Sequence, residues 1–261
     1  MGAATRTSTA AGVEALAAVT RPSPALGDEL LTAARGLASS RQLVAVLADG
    51  GVPAEQRTAL VQRAFASLQP QTRGILESLV AGRWSEPGDL VAGVEEIGLR
   101  ALASPTTAAG LDRELFTVLQ TVGSDGRLEL ALGGVTSPVA ARLALVDTLL
   151  KDASSATRTI VRHIVRLPRG RKPIEALRQA QAIVAEASDR VVAVVQTATP
   201  LSVAQAEALS ARLEQGYGRK IFVNQEIDSS LLGGVRITIG DDVIDGTVRA
   251  RLDDLRLRLA G

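Results

Sequence analysis

Up to about residue 186, apolar positions recur every three or four residues, which predicts a succession of short amphipathic helices. Leu30, Ala34 and Leu37 show this spacing within one such helix. A further short helix is expected at 8–20, where apolar residues share one face before a pair of prolines. The pattern therefore predicts an all-helical bundle over 1–186.

The helical pattern occurs twice along the chain. The segment ELLTAARGLASSRQLVAVL (29–47) aligns without a gap over ELFTVLQTVGSDGRLELAL (114–132), and TRGILESLV aligns over TRTIVRHIV in the same register. One register kept over such a length predicts a duplicated helical unit, with copies at about 28–103 and 113–186.

From about residue 187 the pattern changes to one of strands alternating with helices. The valine-rich run VVAVVQTATP predicts a buried strand, Ser202 with Gln205 predicts a capped helix, and KIFVNQEID predicts a second strand. VRITIGDDVIDGT predicts two further short strands, followed by a last helix that Thr247 caps. The apolar stripe of that helix consists of Val248, Leu252, Leu255 and Leu259. The order predicts a small α/β domain at 187–261 with a short mixed sheet, so the expected fold class is α+β.

Composition limits what this fold contains and where it acts. Hydrophobic residues make up 46% of the chain but aromatic residues only 2%, so the core is expected to be aliphatic. The absence of cysteine excludes disulfides and thiolate metal sites. A net charge of +1 gives no overall attraction to nucleic acid or to an acidic membrane. No apolar run reaches the roughly 18 residues of a membrane span, and no signal peptide is recognisable, so contact with a membrane is expected only through partners.

Few side chains are suited to catalysis or to metal binding. His163 is the only histidine and has no nucleophile beside it, so we interpret it as a surface or packing residue. Asp241, Asp242 and Asp245 lack the spacing of a calcium loop and are interpreted as turn formers, with an enzyme that uses them as the alternative. We expect no catalytic residue, no metal site and no cofactor.

Two other features invite a functional interpretation. Gly233-Gly234 precedes a strand, where a phosphate loop requires a helix, so we interpret the pair as a bend that lets the backbone approach another element. A basic cluster at 158–172 contains a helical stripe of Arg158, Arg162 and Arg166. The stripe is either a solvated face or a docking surface for an acidic partner helix. A helical-repeat scaffold that binds nucleic acid through this cluster is an alternative, although no aromatic residues interleave with the arginines.

The C-terminal segments resemble a known family. TATPL before a helix, YGRKI before a strand and IDSSLLGGVRITIGDDVIDGTVRARL are similar to the C-terminal domain of the delta subunit of F-type ATP synthase, called the oligomycin-sensitivity-conferring protein in mitochondria. The residues that carry this pattern are Asp228, Leu231, Gly233, Gly234, Gly240, Asp245 and Gly246. The common form of that subunit has one six-helix bundle, and the duplicated unit resembles the longer forms of actinobacteria.

The resemblance implies a non-catalytic stator subunit at the cytoplasmic face of the bacterial cell membrane. The helical domain would receive the N-terminal helix of an alpha subunit between its first helix and the fifth helix of the bundle, which is either 72–81 or its copy 157–166. If the fifth helix is 72–81, the groove residues are Val13, Leu16, Ile75 and Leu79. The α/β domain would bind the C-terminal region of the peripheral-stalk b subunit. No nucleic acid and no cofactor are implied.

Overall fold

The structure is a computed structural model that describes residues 2–20, 24–103, 110–134, 137–188, 190–218, 220–228, 230–239, 242–250 and 252. The chain divides into two compact units, Met1–Val184 and Ala185–Gly261, and each is described by itself. Gly240, Asp241, Leu255 and Leu259 of the predictions above lie outside the described residues.

The first unit is helical throughout its described elements. These are α1 (Ala3–Ala17), α2 (Pro24–Ala38), α3 (Arg41–Ala48), α4 (Ala54–Ala64), α5 (Pro70–Ala81), α6 (Pro87–Leu102), α7 (Leu111–Ser124), α8 (Gly126–Gly133), α9 (Val139–Leu149), α10 (Ser155–Arg166) and α11 (Pro173–Ala187), of which the last runs into the second unit.

The duplicated helical unit is confirmed. A displacement of 85 residues carries α3, α4 and α5 onto α8, α9 and α10 residue for residue. We call α2–α6 the first copy and α7–α11 the second copy. The same displacement carries α1 onto α6 without its first residue. Helix α6 therefore closes the first copy and also has, in the sequence, the position before the second copy that α1 has before the first.

The two copies share a buried arginine as well as their helix lengths. Arg57 donates to the carbonyl of Gly82 at 2.7 Å and to that of Leu47 at 3.5 Å. Its counterpart Arg142 donates to the carbonyls of Leu132 and Val165, each at 3.3 Å. The last carbonyl groups of a helix have no hydrogen-bond partner within that helix. In each copy one guanidinium supplies this partner at the ends of two helices.

Helix α1 begins five residues earlier than the predicted 8–20 and ends at Ala17. Ser8 looked like a helix start because serine is a common N-cap. In the structure Ser8 lies inside the helix, where its hydroxyl donates to the Arg83 carbonyl at 2.6 Å, and Gly2 occupies the N-cap instead.

The second copy contains an apolar cavity of about 110 Å³. The cavity is lined by Thr117, Val118, Thr121, Val122, Leu128, Leu132, Val146, Leu149, Leu150 and Val161. In the first copy the ring of Phe65 lies close to Gly36. The second copy has Leu150 and Thr121 at these two positions, and both line the cavity.

The second unit contains a four-stranded mixed sheet and two helical segments, which confirms the α+β class. Its elements are β1 (Arg190–Thr197), α12 (Val203–Tyr217), β2 (Lys220–Ile227), β3 (Val235–Ile239) and β4 (Asp242–Asp245), with helical backbone again from Val248. The strand order is β2-β1-β3-β4, with β1 parallel to β2 and antiparallel to β3. Ser202 and Gln205 form the predicted capping box of α12, and Thr247 accepts from the Ala250 amide as the predicted cap. The apolar core lies between α12 and one face of the sheet, and it contains Ala193, Val195, Leu213, Ile221, Ile237 and Ile239.

Candidate partner-binding sites

Helix α1 lies against α5 and α6 through a face of small residues. A Cβ built on Gly12 would lie 2.5 Å from Leu79 Cδ2 of α5 and 3.0 Å from Ile97 Cγ1 of α6. The hydroxyl of Thr5 donates to Asp89 at 2.6 Å, which ties the start of α1 to the start of α6. Only small side chains fit this contact, so the backbone of α1 comes close to its two neighbours.

The four predicted groove residues belong to one apolar cluster but differ in exposure. Ile75 and Leu79 are 2% and 0% exposed, whereas Val13 and Leu16 are half-buried at the margin of the cluster. Ile75 and Leu79 thus belong to the core that supports α1 and are not open to a partner. The outer surface of α5 instead presents Gly74 and Ala81, both exposed and small.

The corresponding helices of the second copy, α6 and α10, have much less contact with each other than α1 and α5 do, and α2 contacts both of them. Gly98 of α6 would place a Cβ 2.9 Å from Leu31 of α2, and Gly27 of α2 would place one 2.6 Å from Leu102 of α6. Arg35 of α2 reaches α10, with its Nη1 3.0 Å from His163 Nδ1. Helix α2 of the first copy therefore lies against both of these helices.

A buried carboxylate that sequence reasoning missed joins the two copies. Glu95 of α6 is 4% exposed and accepts from Arg169 at 2.5 Å and from Arg171 at 2.7 Å. His163 Nε2 lies 3.3 Å from Glu95 Oε1. Because Arg35 donates to Nδ1 of the same ring, the neutral imidazole carries its proton on Nε2, toward the carboxylate. We call Glu95, His163, Arg169 and Arg171 the Glu95 cluster.

Two pKa shifts follow from the surroundings of the Glu95 cluster. Burial by itself raises the pKa of Glu95, but hydrogen bonds from His163 and Arg171 and the charge of Arg171 outweigh it and lower this pKa to about 2. Burial lowers the pKa of His163, against the attraction of Glu95. The cluster thus holds an ionised carboxylate beside a neutral imidazole. The sequence carried one signal of it, since Glu95 lies within the apolar run of α6.

The Glu95 cluster divides the predicted basic cluster into two parts. Arg169 and Arg171 point inward to Glu95 and are structural. Arg158, Arg162 and Arg166 remain on the outer side of α10, and Arg162 pairs with Asp147 of α9. We call these three arginines the α10 stripe.

The LLGG segment of the second unit is built around glycines that no other residue replaces easily. Gly233 and Gly234 have φ values of +142° and +84°. A Cβ on Gly234 would lie 2.5 Å from the Gly246 carbonyl oxygen and 2.8 Å from Thr247 Cα. The backbone of the strand β3 entry thus touches the turn before the last helix, which supports the predicted bend.

The acidic signature residues have local structural roles in the same region. Asp228 accepts from the amide and the hydroxyl of Ser230 and begins the turn that leads to Leu231. Asp245 accepts from the Thr247 amide and from Arg236. Hydrogen bonding from the Thr247 side chain, then from Arg236 and from the Thr247 amide, lowers the pKa of Asp245 to about 2. Val248 and Leu252 of the last helix are 41% and 48% exposed, so their part of the predicted apolar stripe faces solvent.

The described residues form two units, each with its own candidate surface. Within the described ranges, no group of three or more histidine, aspartate or glutamate side chains is arranged to hold a metal ion. Among the helices described, none is long and apolar enough to cross a membrane.

Comparison with known proteins assigns the family. A family model for the ATP synthase delta (OSCP) subunit matches residues 100–259. The ATP synthase subunit delta of Leifsonia xyli subsp. xyli is 42% identical over 264 residues, with 100% of both chains covered. That of Streptomyces avermitilis is 37% identical over 267 residues, with 98% of each covered, and that of Thermobifida fusca is 35% identical over 242 residues, with 90% of each covered. The chain belongs to the ATP synthase delta (OSCP) subunit family, and its similarity to the long actinobacterial form is confirmed.

Proposed function

We propose that this chain is a non-catalytic stator subunit of a proton-translocating ATP synthase. It links the alpha subunits of the catalytic head to the C-terminal region of the peripheral-stalk b subunit, on the cytoplasmic face of the cell membrane. Membership of the delta subunit family supports this role. Such a link needs extended apolar helix contacts and no reactive groups, in keeping with an aliphatic core and surfaces formed by helices.

The observation that carries the proposal concerns two helix pairs that correspond in the sequence, α6–α10 and α1–α5. The two pairs differ in what lies against them within the chain. Helix α2 of the same chain contacts α6 through Leu31 and α10 through Arg35. At the α1–α5 pair, Val13 and Leu16 of α1 are half-buried, and α5 carries small exposed residues. We therefore assign the alpha-subunit helix to the α1–α5 pair. Small residues allow two helices to approach closely, which favours docking of an amphipathic helix.

The experiment is a calorimetric titration of the full chain with a peptide of the N-terminal twenty or so residues of the alpha subunit from the same organism. We expect saturable binding that is lost on Leu16→Asp, since a charge at the margin of the groove would be buried by the peptide. Leu130→Asp, at an exposed leucine of α8, is the matched control and is expected to bind as the unchanged chain does. Equal loss with both variants, or no binding to the folded chain, contradicts the assignment.

The b-subunit contact is assigned to the second unit. The turn formed by Asp228, Leu231, Gly233 and Gly234 exposes Leu232, which is 81% accessible, beside the exposed Val248. Exposed apolar side chains around a rigid turn are typical of a protein interface. Leu232→Ser is expected to weaken binding of a soluble b-subunit fragment and to leave binding of the alpha peptide unchanged. Retention of full b-subunit affinity would move this contact elsewhere.

A further inference from the structure

The α10 stripe is the surface of the helical unit that neither the fold nor the proposed stator contacts account for. Arg158, Arg162 and Arg166 follow one another at intervals of four residues and therefore lie on one side of α10, about 6 Å apart along the helix. Like charges at this spacing repel one another and destabilise a helix. The stripe therefore has a cost within the isolated chain.

Few carboxylates offset this charge. Arg162 pairs with Asp147, whose pKa is lowered first by the hydrogen bond from Arg162 and also by the charges of Arg158 and Arg166. Within the part of the chain that the structure describes, neither Arg158 nor Arg166 has a carboxylate within salt-bridge distance. Arg166 also repels Arg35 of α2, which contributes to the lowered pKa of Arg35 after burial. The positive charge thus exceeds the negative charge along the whole stripe.

The duplication provides an internal comparison. The positions of the first copy that correspond to Arg158, Arg162 and Arg166 are Arg73, Glu77 and Ala81, which are neutral in sum. Arg73 is also held within its own copy, where it donates to the Ala66 carbonyl at 2.8 Å. The second copy therefore has an excess of positive charge at a place where the same fold is stable without it.

We propose that the α10 stripe binds an acidic helical segment of a partner protein. Carboxylates at every fourth residue of a partner helix have the same spacing as the three arginines, so each forms a charge-assisted contact along one line. Nucleic acid is disfavoured as the occupant, because three arginines neutralise few phosphates compared with the six to ten contacts of typical binders, and the chain as a whole has a charge of only +1. This surface is additional to the alpha-subunit groove and does not depend on it.

The test uses fluorescence anisotropy of the full chain with two labelled probe peptides of equal composition. In the first, glutamates stand at every fourth position of an alanine-rich helix. In the second, the same glutamates are distributed around all sides of the helix. We expect the first peptide to bind about tenfold more tightly than the second, and raising the salt concentration to weaken binding.

Matched variants locate the binding. Replacing Arg158, Arg162 and Arg166 together by glutamine is expected to weaken binding of the first peptide about tenfold, the size expected for three exposed charge pairs. The control replaces Arg113, Arg127 and Arg178 by glutamine, since these are exposed arginines on α7, α8 and α11. The control removes the same charge and is expected to change binding less than twofold. Circular dichroism verifies that both variants are folded.

Several outcomes overturn the proposal. Equal weakening in the two variants means that only net charge is sensed, and equal binding of the two peptides means that no helical spacing is recognised. Absence of binding to the first peptide at low salt also refutes it. If a 20-base-pair DNA duplex binds more tightly than the peptide and loses binding on the same three substitutions, the stripe is a nucleic-acid surface instead.

Discussion

The substitution Glu95→Gln tests whether the Glu95 cluster holds the two helical copies together. Glutamine keeps the size of the side chain but removes its charge and turns an NH₂ group toward one of the donors, Arg169, Arg171 or His163. A carboxyl whose pKa falls from 4.5 to about 2 on folding stabilises the fold by about 3 kcal/mol at neutral pH. The side chains of Arg169 and Arg171 are 26% and 20% exposed, so water partly solvates them in the variant. We therefore expect a loss of about 2–3 kcal/mol.

The pH dependence of this loss has a definite sign. The pKa of Glu95 is lower in the folded chain than in the unfolded chain. The stabilisation of the fold by the ionised Glu95 is therefore complete above about pH 4.5 and disappears as the pH falls toward 2. The difference in unfolding free energy between the unchanged chain and Glu95→Gln is thus expected to be full at pH 7 and clearly smaller at pH 3.

The assay is unfolding in urea, followed by the fluorescence of Trp84 and by far-UV circular dichroism. Trp84 is the only tryptophan and contacts α6 at Gly93, close to the substituted position. The control is Glu96→Gln, which removes an i,i+4 pair with Arg100 and is expected to cost about 0.5 kcal/mol. A loss below about 0.5 kcal/mol for Glu95→Gln at pH 7, or an equal loss at pH 3, would refute the reasoning.

Two further predictions concern other parts of the fold. Gly234→Ala is expected to destabilise the second unit by about 3 kcal/mol, because the added Cβ meets the Gly246 carbonyl oxygen and the φ of this residue is +84°. Gly216→Ala lies in open space on α12 and is expected to stabilise the same unit by up to about 1 kcal/mol. Hydrogen exchange of the sheet amides measures both changes, and equal effects of the two substitutions would contradict the account. Leu150→Phe is expected to fill the cavity of the second copy and to raise the stability of that copy by about 1 kcal/mol. The backbone angles of Leu150 are nearly those of Phe65, so the backbone can carry a phenylalanine at this position. A lower urea midpoint would show that the cavity does not admit the ring.

Periodicity was sufficient to predict the helices, the duplication and the strands. Apolar spacing reports which face of an element is buried, and α5 and α10 have that face at corresponding positions. It does not report what covers the face. The contact of Glu95 with His163 joins residues far apart in sequence, and the packing of α2 against α6 depends on close contacts at Gly27 and Gly98. These contacts come from the tertiary fold, and no local pattern specifies them.

The start of α1 and the role of the arginines show a similar limit. Ser8 has the side chain of a helix cap, but its hydroxyl bonds a carbonyl of another segment. Arg169 and Arg171 were grouped with Arg158 by charge and proximity in sequence, yet they serve Glu95. Sequence pattern identifies side-chain chemistry, and tertiary contacts decide how that chemistry is used. The LLGG turn was predictable because its φ values and backbone approach are local requirements for glycine.

The most direct test of the proposed stator role is sedimentation of the full chain with the isolated catalytic head and a soluble b-subunit fragment from the same organism. We predict a ternary complex that does not form without the chain. We predict further that Leu16→Asp releases only the head and that Leu232→Ser releases only the b-subunit fragment. A head and b-subunit fragment that associate equally well without the chain, or a chain that binds neither, would contradict the stator role.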